Sequence, residues 1–192
     1  MLFLVWGLVI FLGTHSIRVT GDGLRDQLVQ SIGPARFKAI YALSSLLGFA
    51  LLVYGFGIAR DMPVVLWTPP PAMKHLAYLL TLLAMVLMAA VYVPHNAIKS
   101  KLHHPMVLSV KVWALAHVLA NGTLAHVVLF GSMLMWSVVL FKASRARDKR
   151  NHVVYAAGNK GATILTIEIG IAMWLVFVGW AHGWLIGVQV MP

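Results

Sequence analysis

The sequence contains no cysteine among its 192 residues. Disulfide bonds, thiolate ligation of haem and cysteine-held iron–sulfur clusters are therefore excluded. Acidic residues are also scarce, because Asp and Glu together number five and only 10% of all residues are charged. Soluble domains carry about 25% charged residues, so this composition argues against a protein whose surface faces water.

Apolar residues make up 60% of the chain, and the mean hydropathy is +0.85. A water-soluble chain of this size cannot bury so much apolar surface, whereas a lipid bilayer removes the need to do so. We therefore predict an all-α, integral membrane bundle of about six transmembrane helices that forms a single transmembrane domain over residues 1–192. The predicted helices cover residues 2–19, 39–58, 75–93, 105–120, 123–141 and 162–187.

Turn-forming residues support these boundaries. His104-Pro105 opens the fourth helix with a proline in the first turn, where its missing N–H does no harm. Asn121-Gly122 predicts a tight turn, so the fourth and fifth helices should form an antiparallel hairpin. The initial segment MLFLVWGLVIFLGTH has neither a basic region before its apolar run nor a small-residue cleavage site. We therefore expect a retained first helix rather than a removable signal peptide.

The net charge of +10 is distributed unevenly between the predicted loops. Twelve of the 15 Lys and Arg residues fall in the first, third and fifth loops, two fall in the second, and Lys111 lies inside the fourth helix. Because cytoplasmic loops are enriched in Lys and Arg, we place the three odd-numbered loops on the cytoplasmic side of the membrane, with both termini on the far side. The basic residues are scattered and lack a binding module, so we expect the lipid bilayer, and not nucleic acid, as the partner.

Histidine is the polar residue in excess, with nine in the chain. A single membrane histidine is most often interfacial or hydrogen-bonded in the core, but nine in a small bundle favour a metal or a cofactor. Imidazole is the usual protein ligand of haem iron, and helix bundles are a usual place to hold it. Zinc is the competing metal, but it needs three or four close ligands, and no HxxxH or HExxH pair supports it.

Depth along the predicted helices selects two histidines. His15 lies about 20 Å along the first helix, and His117 lies about 18 Å along the fourth, which runs in the opposite direction. Side chains lean toward the N-terminus of their own helix, so these two lean toward each other. His104 is thirteen residues before His117, about 220° around the helix, and lies near the cytoplasmic interface, where it is the weaker candidate.

Several other residues within the predicted membrane helices have candidate structural or functional roles. Lys111 and Glu168 lie at similar depth, so we expect a buried ion pair, with Lys111 snorkelling to the interface as the alternative. A Lys111 contact to a haem propionate, or Glu168 orienting a ligand imidazole, is a further reading. Trp113, one turn before His117, is a candidate to flank a cofactor or to pack in the core. The glycines at 179, 183 and 187 favour close helix packing, within the bundle or in a homo-oligomer.

Two stretches resemble a known family. The segment HHPMVLSVKVWALAHVLANGTLAHVVLFG, residues 103–131, is similar to the signature of the NnrU family. FLGTHSIR, residues 11–18, followed by IGPARFKAIYALSSLLGFALL, resembles it as well. The resemblance covers most of the chain and implies a membrane protein associated with nitrogen-oxide metabolism in denitrifying bacteria.

The family's relationship to the plant and cyanobacterial 15-cis-zeta-carotene isomerase adds a cofactor. That enzyme is a haem b membrane protein with two axial histidines, and the resemblance places these ligands on His15 and His117, with His104 in the neighbouring HP motif as the alternative second ligand. Three functions stay open: a haem b protein in nitrogen-oxide or membrane redox chemistry, a haem-dependent cis–trans isomerase of a lipid-soluble polyene, and a cofactor-free permease or assembly factor.

Overall fold

The structure is a computed structural model that describes residues 1–19 and 22–190. Within those residues it is all-helical, without a β-strand. A 3-10 turn, Ser16–Arg18, follows the first helix. The helices are α1 Leu2–His15, α2 Asp22–Ile32, α3 Pro34–Asp61, α4 Pro71–Tyr92, α5 Ala97–Leu102, α6 Pro105–Ala120, α7 Leu124–Arg150 and α8 Lys160–Ile186.

Four of these helices, α3, α4, α7 and α8, are long and apolar enough to cross a membrane, with 22 to 28 residues each. Helices α1 and α6 are apolar but have only 14 and 16 residues. Their lengths of about 21 Å and 24 Å fall short of a hydrocarbon core of about 30 Å. The predicted membrane bundle is thus supported by four helices that are long enough to span the bilayer, and the predicted number of six transmembrane helices is not confirmed.

Several helical segments differ from the sequence prediction. Helix α1 ends at His15 rather than at residue 19, α3 is longer than the predicted residues 39–58, and the short helix α5 was not predicted. Helix α7 continues to Arg150, where we predicted an end at residue 141. Its last turns carry basic residues that water can solvate, so the helix extends beyond the apolar segment. Helix α2 was not predicted, because its 11 residues mix polar and apolar side chains and do not resemble a membrane span.

Helices α1 and α3 form a closely packed antiparallel pair. Glycines occupy the contact, and a Cβ atom at Gly7 would lie 2.5 Å from the backbone nitrogen of Leu52, while one at Gly48 would lie 2.7 Å from that of Phe11. A Cβ at Gly55 would meet the backbone of Leu4. Only glycine permits so close an approach. We refer to α1 and α3 as the α1–α3 pair.

The remaining long helices form a second group in which α4 lies between α6 and α8, and α7 packs on α6. Close approach of α8 to α4 depends on Gly170, where a Cβ would lie 2.5 Å from the Cα of Val86. A buried apolar cluster joins this group to the α1–α3 pair. It consists of Leu4, Leu8, Leu52, Ala59, Ala114, Ala125, Phe130 and Met133.

The predicted turn at Asn121-Gly122 connects α6 to α7, which pack against each other. The backbone N–H groups of Leu66 and Trp67 donate to the carbonyl of Gly122 at 2.8 and 3.1 Å. A side chain at Gly122 would collide with the carbonyl of Trp67. The proline-rich segment between α3 and α4 therefore lies across the α6–α7 turn and closes this end of the bundle.

One packing prediction was wrong. Lys111 and Glu168 form no ion pair in the part of the chain that the structure describes. Equal depth was insufficient, because α4 separates the two helices and Glu168 is exposed on the outer face of α8. Within the described part of the chain, the glycine series does not contact a neighbouring helix. A Cβ at Gly179 would meet nothing within 4 Å, one at Gly183 would meet the side chain of Gln189, and Gly187 ends α8 with φ of 73°. Packing of these glycines in a homo-oligomer stays a prediction.

Candidate functional site

His15 is the last residue of α1, and a hydrogen bond to its own helix fixes its ring. The Nδ1 atom lies 2.7 Å from the carbonyl oxygen of Phe11, one turn earlier. A carbonyl oxygen only accepts hydrogen bonds, so Nδ1 carries the proton of the neutral ring. The Nε2 atom then has a bare lone pair, and it has no hydrogen-bond partner among the described residues. This is the tautomer that coordinates a metal through Nε2.

Aromatic rings surround His15. Its ring centroid lies 4.3 Å from that of Phe11, 5.5 Å from Tyr41 and 6.2 Å from Trp136. The indole N–H of Trp136 donates to the hydroxyl of Ser16 at 3.0 Å, which ties α7 to the end of α1. The site is therefore apolar on the side of α7 and is held in place by one inter-helix hydrogen bond beside the imidazole.

His117 has the same hydrogen-bond arrangement near the end of α6. Its Nδ1 atom lies 2.9 Å from the carbonyl oxygen of Trp113, so Nδ1 is protonated and Nε2 is bare. The ring stacks on Phe130 at 4.4 Å between centroids, and the ring of Trp113 lies 5.1 Å away. Trp113 thus contacts His117 both through its backbone and through its ring.

The segment opposite His117 is an irregular part of α7. Residues Val127–Gly131 form a π-helical turn that contains Phe130. Such turns are rare and occur frequently at functional sites. A second π-helical turn, Phe177–Ala181, directly precedes His182 in α8. His126 lies near His117, because both rings stack on that of Phe130.

Neighbouring histidines are held less favourably for coordination than His117. The Nδ1 atom of His126 lies 2.6 Å from the hydroxyl of Thr123, which can donate or accept, so the tautomer is not fixed. His182 bonds the carbonyl of Val188 at 2.8 Å, but at the exposed end of α8. Within the described residues, no group of three or more His, Asp or Glu side chains is arranged to hold one metal ion.

His15 and His117 lie at different levels of the bundle. His15 contacts Trp136, whereas His117 contacts Phe130, six residues away along α7. Six residues correspond to about 9 Å along a helix axis. Side chains of the apolar cluster, among them Leu8 and Met133, occupy the contact between the α1–α3 pair and the second group. The structure thus places both histidines along the same helix but does not bring their rings into contact.

His104 lies in a separate cluster at the beginning of α6. Its Nε2 atom is 2.7 Å from a carboxylate oxygen of Asp148, to which the hydroxyl of Tyr155 also donates at 2.8 Å. Burial, and next the bond to Asp148, raise the pKa of Tyr155 to about 12, so this hydroxyl stays protonated at physiological pH. Because Nε2 of His104 is engaged with a carboxylate, it is not available to a metal in this arrangement.

The backbone around His104 is also unusual. His103 and His104 have φ of 58° and 30°, a region that non-glycine residues seldom adopt. The ring of His103 stacks on Tyr155 at 3.9 Å, and its Nδ1 atom forms a hydrogen bond with Arg145. These contacts tie the loop before α6 to the last turns of α7. The arrangement fixes the beginning of α6 against the end of α7.

Lys111 is oriented toward α7. Its ammonium nitrogen lies 6.0 Å from the ring centroid of Phe141, within range of a cation–π interaction. Lys111 lies on α6, six residues before His117, and therefore belongs to the second group of helices. Of the residues that we singled out from the sequence, Trp113 and His117 lie together. His104 and Lys111 share Phe141 as a neighbour, and His15 lies apart from both groups.

A cavity of about 330 Å³ opens beside His15, and the sequence analysis missed its other residues. Phe37, Lys38 and Tyr41 line it from α3, and Arg25 lines it from α2. The glycines at 7, 48 and 55 could have predicted this cavity from the sequence. They fix the antiparallel register of α1 and α3 and thereby bring Tyr41 to the end of α1.

Comparison with known proteins gives one match. The profile of the family described as "NnrU protein" matches residues 3–190, nearly the whole chain. Neither the curated proteins nor the solved structures contain a significant match.

Proposed function

Because the chain belongs to the NnrU family, we propose that it is a haem b-binding membrane protein in which His15 and His117 are the axial ligands. The observation that supports this proposal is the shared tautomer of the two rings. Each donates its Nδ1–H to the carbonyl one turn earlier, and each leaves Nε2 for a metal. Metal-binding histidines usually fix their second ring nitrogen in this manner.

The residues present suit a haem in their chemistry. Aromatic rings flank both imidazoles, with Tyr41 and Trp136 beside His15 and Trp113 beside His117. Lys111 is a proposed propionate contact on the second group of helices. When bound, haem would supply one-electron chemistry and, on loss of one imidazole, an open coordination position at iron.

Simultaneous ligation by both histidines requires a change in packing. His15 belongs to the α1–α3 pair and His117 to the second group, and apolar side chains fill the contact between them. Leu8 and Met133 would have to move aside, so that the two groups separate around the cofactor. The glycine-rich contact inside the α1–α3 pair favours movement of these two helices as one unit.

The role that we propose for the haem is nitrogen-oxide metabolism or another redox reaction in the bacterial cytoplasmic membrane. Isomerisation of a lipid-soluble polyene is the competing role. The spectrum of the reduced protein distinguishes the two roles. A haem that is held by both His15 and His117 would suit electron transfer, and a haem that is held by one of them would suit the binding of a substrate.

Absorption spectra of the purified protein, oxidised and reduced, test the proposal. We expect a six-coordinate, low-spin b-type spectrum in the oxidised protein. His15→Ala and His117→Ala should each give a five-coordinate spectrum or lose the haem. Added imidazole should restore the six-coordinate spectrum to His117→Gly. Protein that is isolated from haem-replete cells without haem, and that does not bind added haem, would contradict the proposal and favour the cofactor-free alternative.

A further inference from the structure

The cavity beside His15 is lined by residues of two chemical kinds. Phe37, Tyr41 and His15 contribute ring side chains. Arg25 and Lys38 contribute basic side chains. The cavity therefore offers flat, apolar contact area and two positive charges within one space.

Contacts on α2 and α3 hold Arg25 at this cavity. The guanidinium carbon lies 5.8 Å from the ring centroid of Phe37, which places the charge over the apolar wall. One guanidinium nitrogen also lies 3.1 Å from a carboxylate oxygen of Asp26, and this pair is partly exposed. Arginine has five N–H donors, so the bond to Asp26 leaves donors for a second anion. With Lys38 included, the local charge remains positive.

We propose that this cavity binds the carboxylate end of a planar, apolar ligand and that Arg25 and Lys38 are the carboxylate-binding residues. The inference rests on the proposed function, because haem b is a planar ring system that carries two propionates. Guanidinium groups bind carboxylates through paired, charge-assisted hydrogen bonds, and an ammonium adds a point charge.

The size of the cavity is consistent with this assignment. Ligand sites for small molecules usually measure about 300–1,000 Å³, and 330 Å³ is at the lower end of that range. The cavity is suited to the polar edge of a porphyrin rather than to the whole ring. His15 itself lines the cavity, so the proposed carboxylate-binding residues and the proposed haem ligand lie in one place.

Binding of metal-free protoporphyrin IX tests the inference without requiring ligation of iron. Affinities are measured by porphyrin fluorescence in nanodiscs of phosphatidylcholine, for the diacid and for its dimethyl ester. We expect the wild-type protein to bind the diacid at least about tenfold more tightly, since charge-assisted bonds are lost in the ester. The variant Arg25→Gln with Lys38→Gln should lose this preference.

The matched control is Arg36→Gln with Lys142→Gln, which removes the same two charges outside the cavity and should keep the preference. Nanodiscs that contain phosphatidylglycerol distinguish a lipid phosphate from a carboxylate, because competition by that lipid without any diacid preference would overturn the assignment. Equal affinity of the wild type for diacid and ester, or no porphyrin binding, would also overturn it. A diacid preference in a protein without histidine-ligated haem would contradict the proposed function alone.

Discussion

The Nε2 atom of His104 lies 2.7 Å from Oδ2 of Asp148, and this pair joins the beginning of α6 to the last turn of α7. We predict that His104→Ala or Asp148→Asn lowers the free energy of unfolding by about 1.5–3 kcal/mol, the usual contribution of a hydrogen bond to a charged group. Both side chains are mostly buried, so the loss should be measurable in a titration with denaturing detergent. The haem spectrum should not change.

The control for this prediction is His152→Ala, because His152 also has a positive φ, of 49°, but its side chain is exposed. It should alter stability by less than about 0.5 kcal/mol. In the double variant, the two losses should not add, since both remove one interaction. Loss of haem from the His104 variant, with a normal spectrum in the His117 variant, would make His104 the second ligand.

The variant His126→Ala tests whether His126, rather than His117, is the second haem ligand. The rings of His117 and His126 both stack on Phe130, at 4.4 and 6.0 Å between centroids. We predict that His117→Ala weakens haem binding by more than about tenfold, whereas His126→Ala keeps the six-coordinate spectrum. The reason is that the tautomer of His117, unlike that of His126, is fixed by a backbone carbonyl. Haem titrations monitored by absorbance measure both. The opposite result would assign the ligand to His126.

Gly55→Ala should destabilise the α1–α3 pair, because the added methyl group would meet the backbone of Leu4. Overpacking of this kind costs about 1–3 kcal/mol. Gly57→Ala lies two residues away on the same helix, where a Cβ meets nothing within 4 Å, and it should be neutral or slightly stabilising. Unfolding of both variants in the same detergent gives the comparison, and equal stabilities would contradict the packing of α1 on α3.

The absence of native cysteine allows the membrane orientation to be tested directly. Met62 and Val154 are 85% and 91% exposed and lie at opposite ends of the bundle. From the distribution of Lys and Arg, we predict that Met62→Cys reacts with an impermeant maleimide in intact cells, and that Val154→Cys reacts only after permeabilisation. The reverse pattern would invert the orientation.

Helix α6 could be predicted from the sequence in full. Its predicted and observed boundaries agree, 105–120, because proline begins the helix and Asn121-Gly122 ends it. The hydrophobic segments predicted similar depths for Lys111 and Glu168, but they do not encode the order of the helices around the bundle. Helix α4 lies between the helices that carry these two residues. The partner of His104 is 44 residues away and belongs to a helical extension that carries no apolar signal.

The proposed ligands His15 and His117 belong to the two shortest of the apolar helices. Helix α1 is about 21 Å long, beside α3 at about 42 Å, so one bilayer thickness cannot match both. Lipids respond to such hydrophobic mismatch by thinning locally, which draws headgroups and water inward along the short helices. A polar reactant would then reach these imidazoles after crossing less hydrocarbon than elsewhere, and the acyl-chain length of the host membrane becomes a determinant of access to the site.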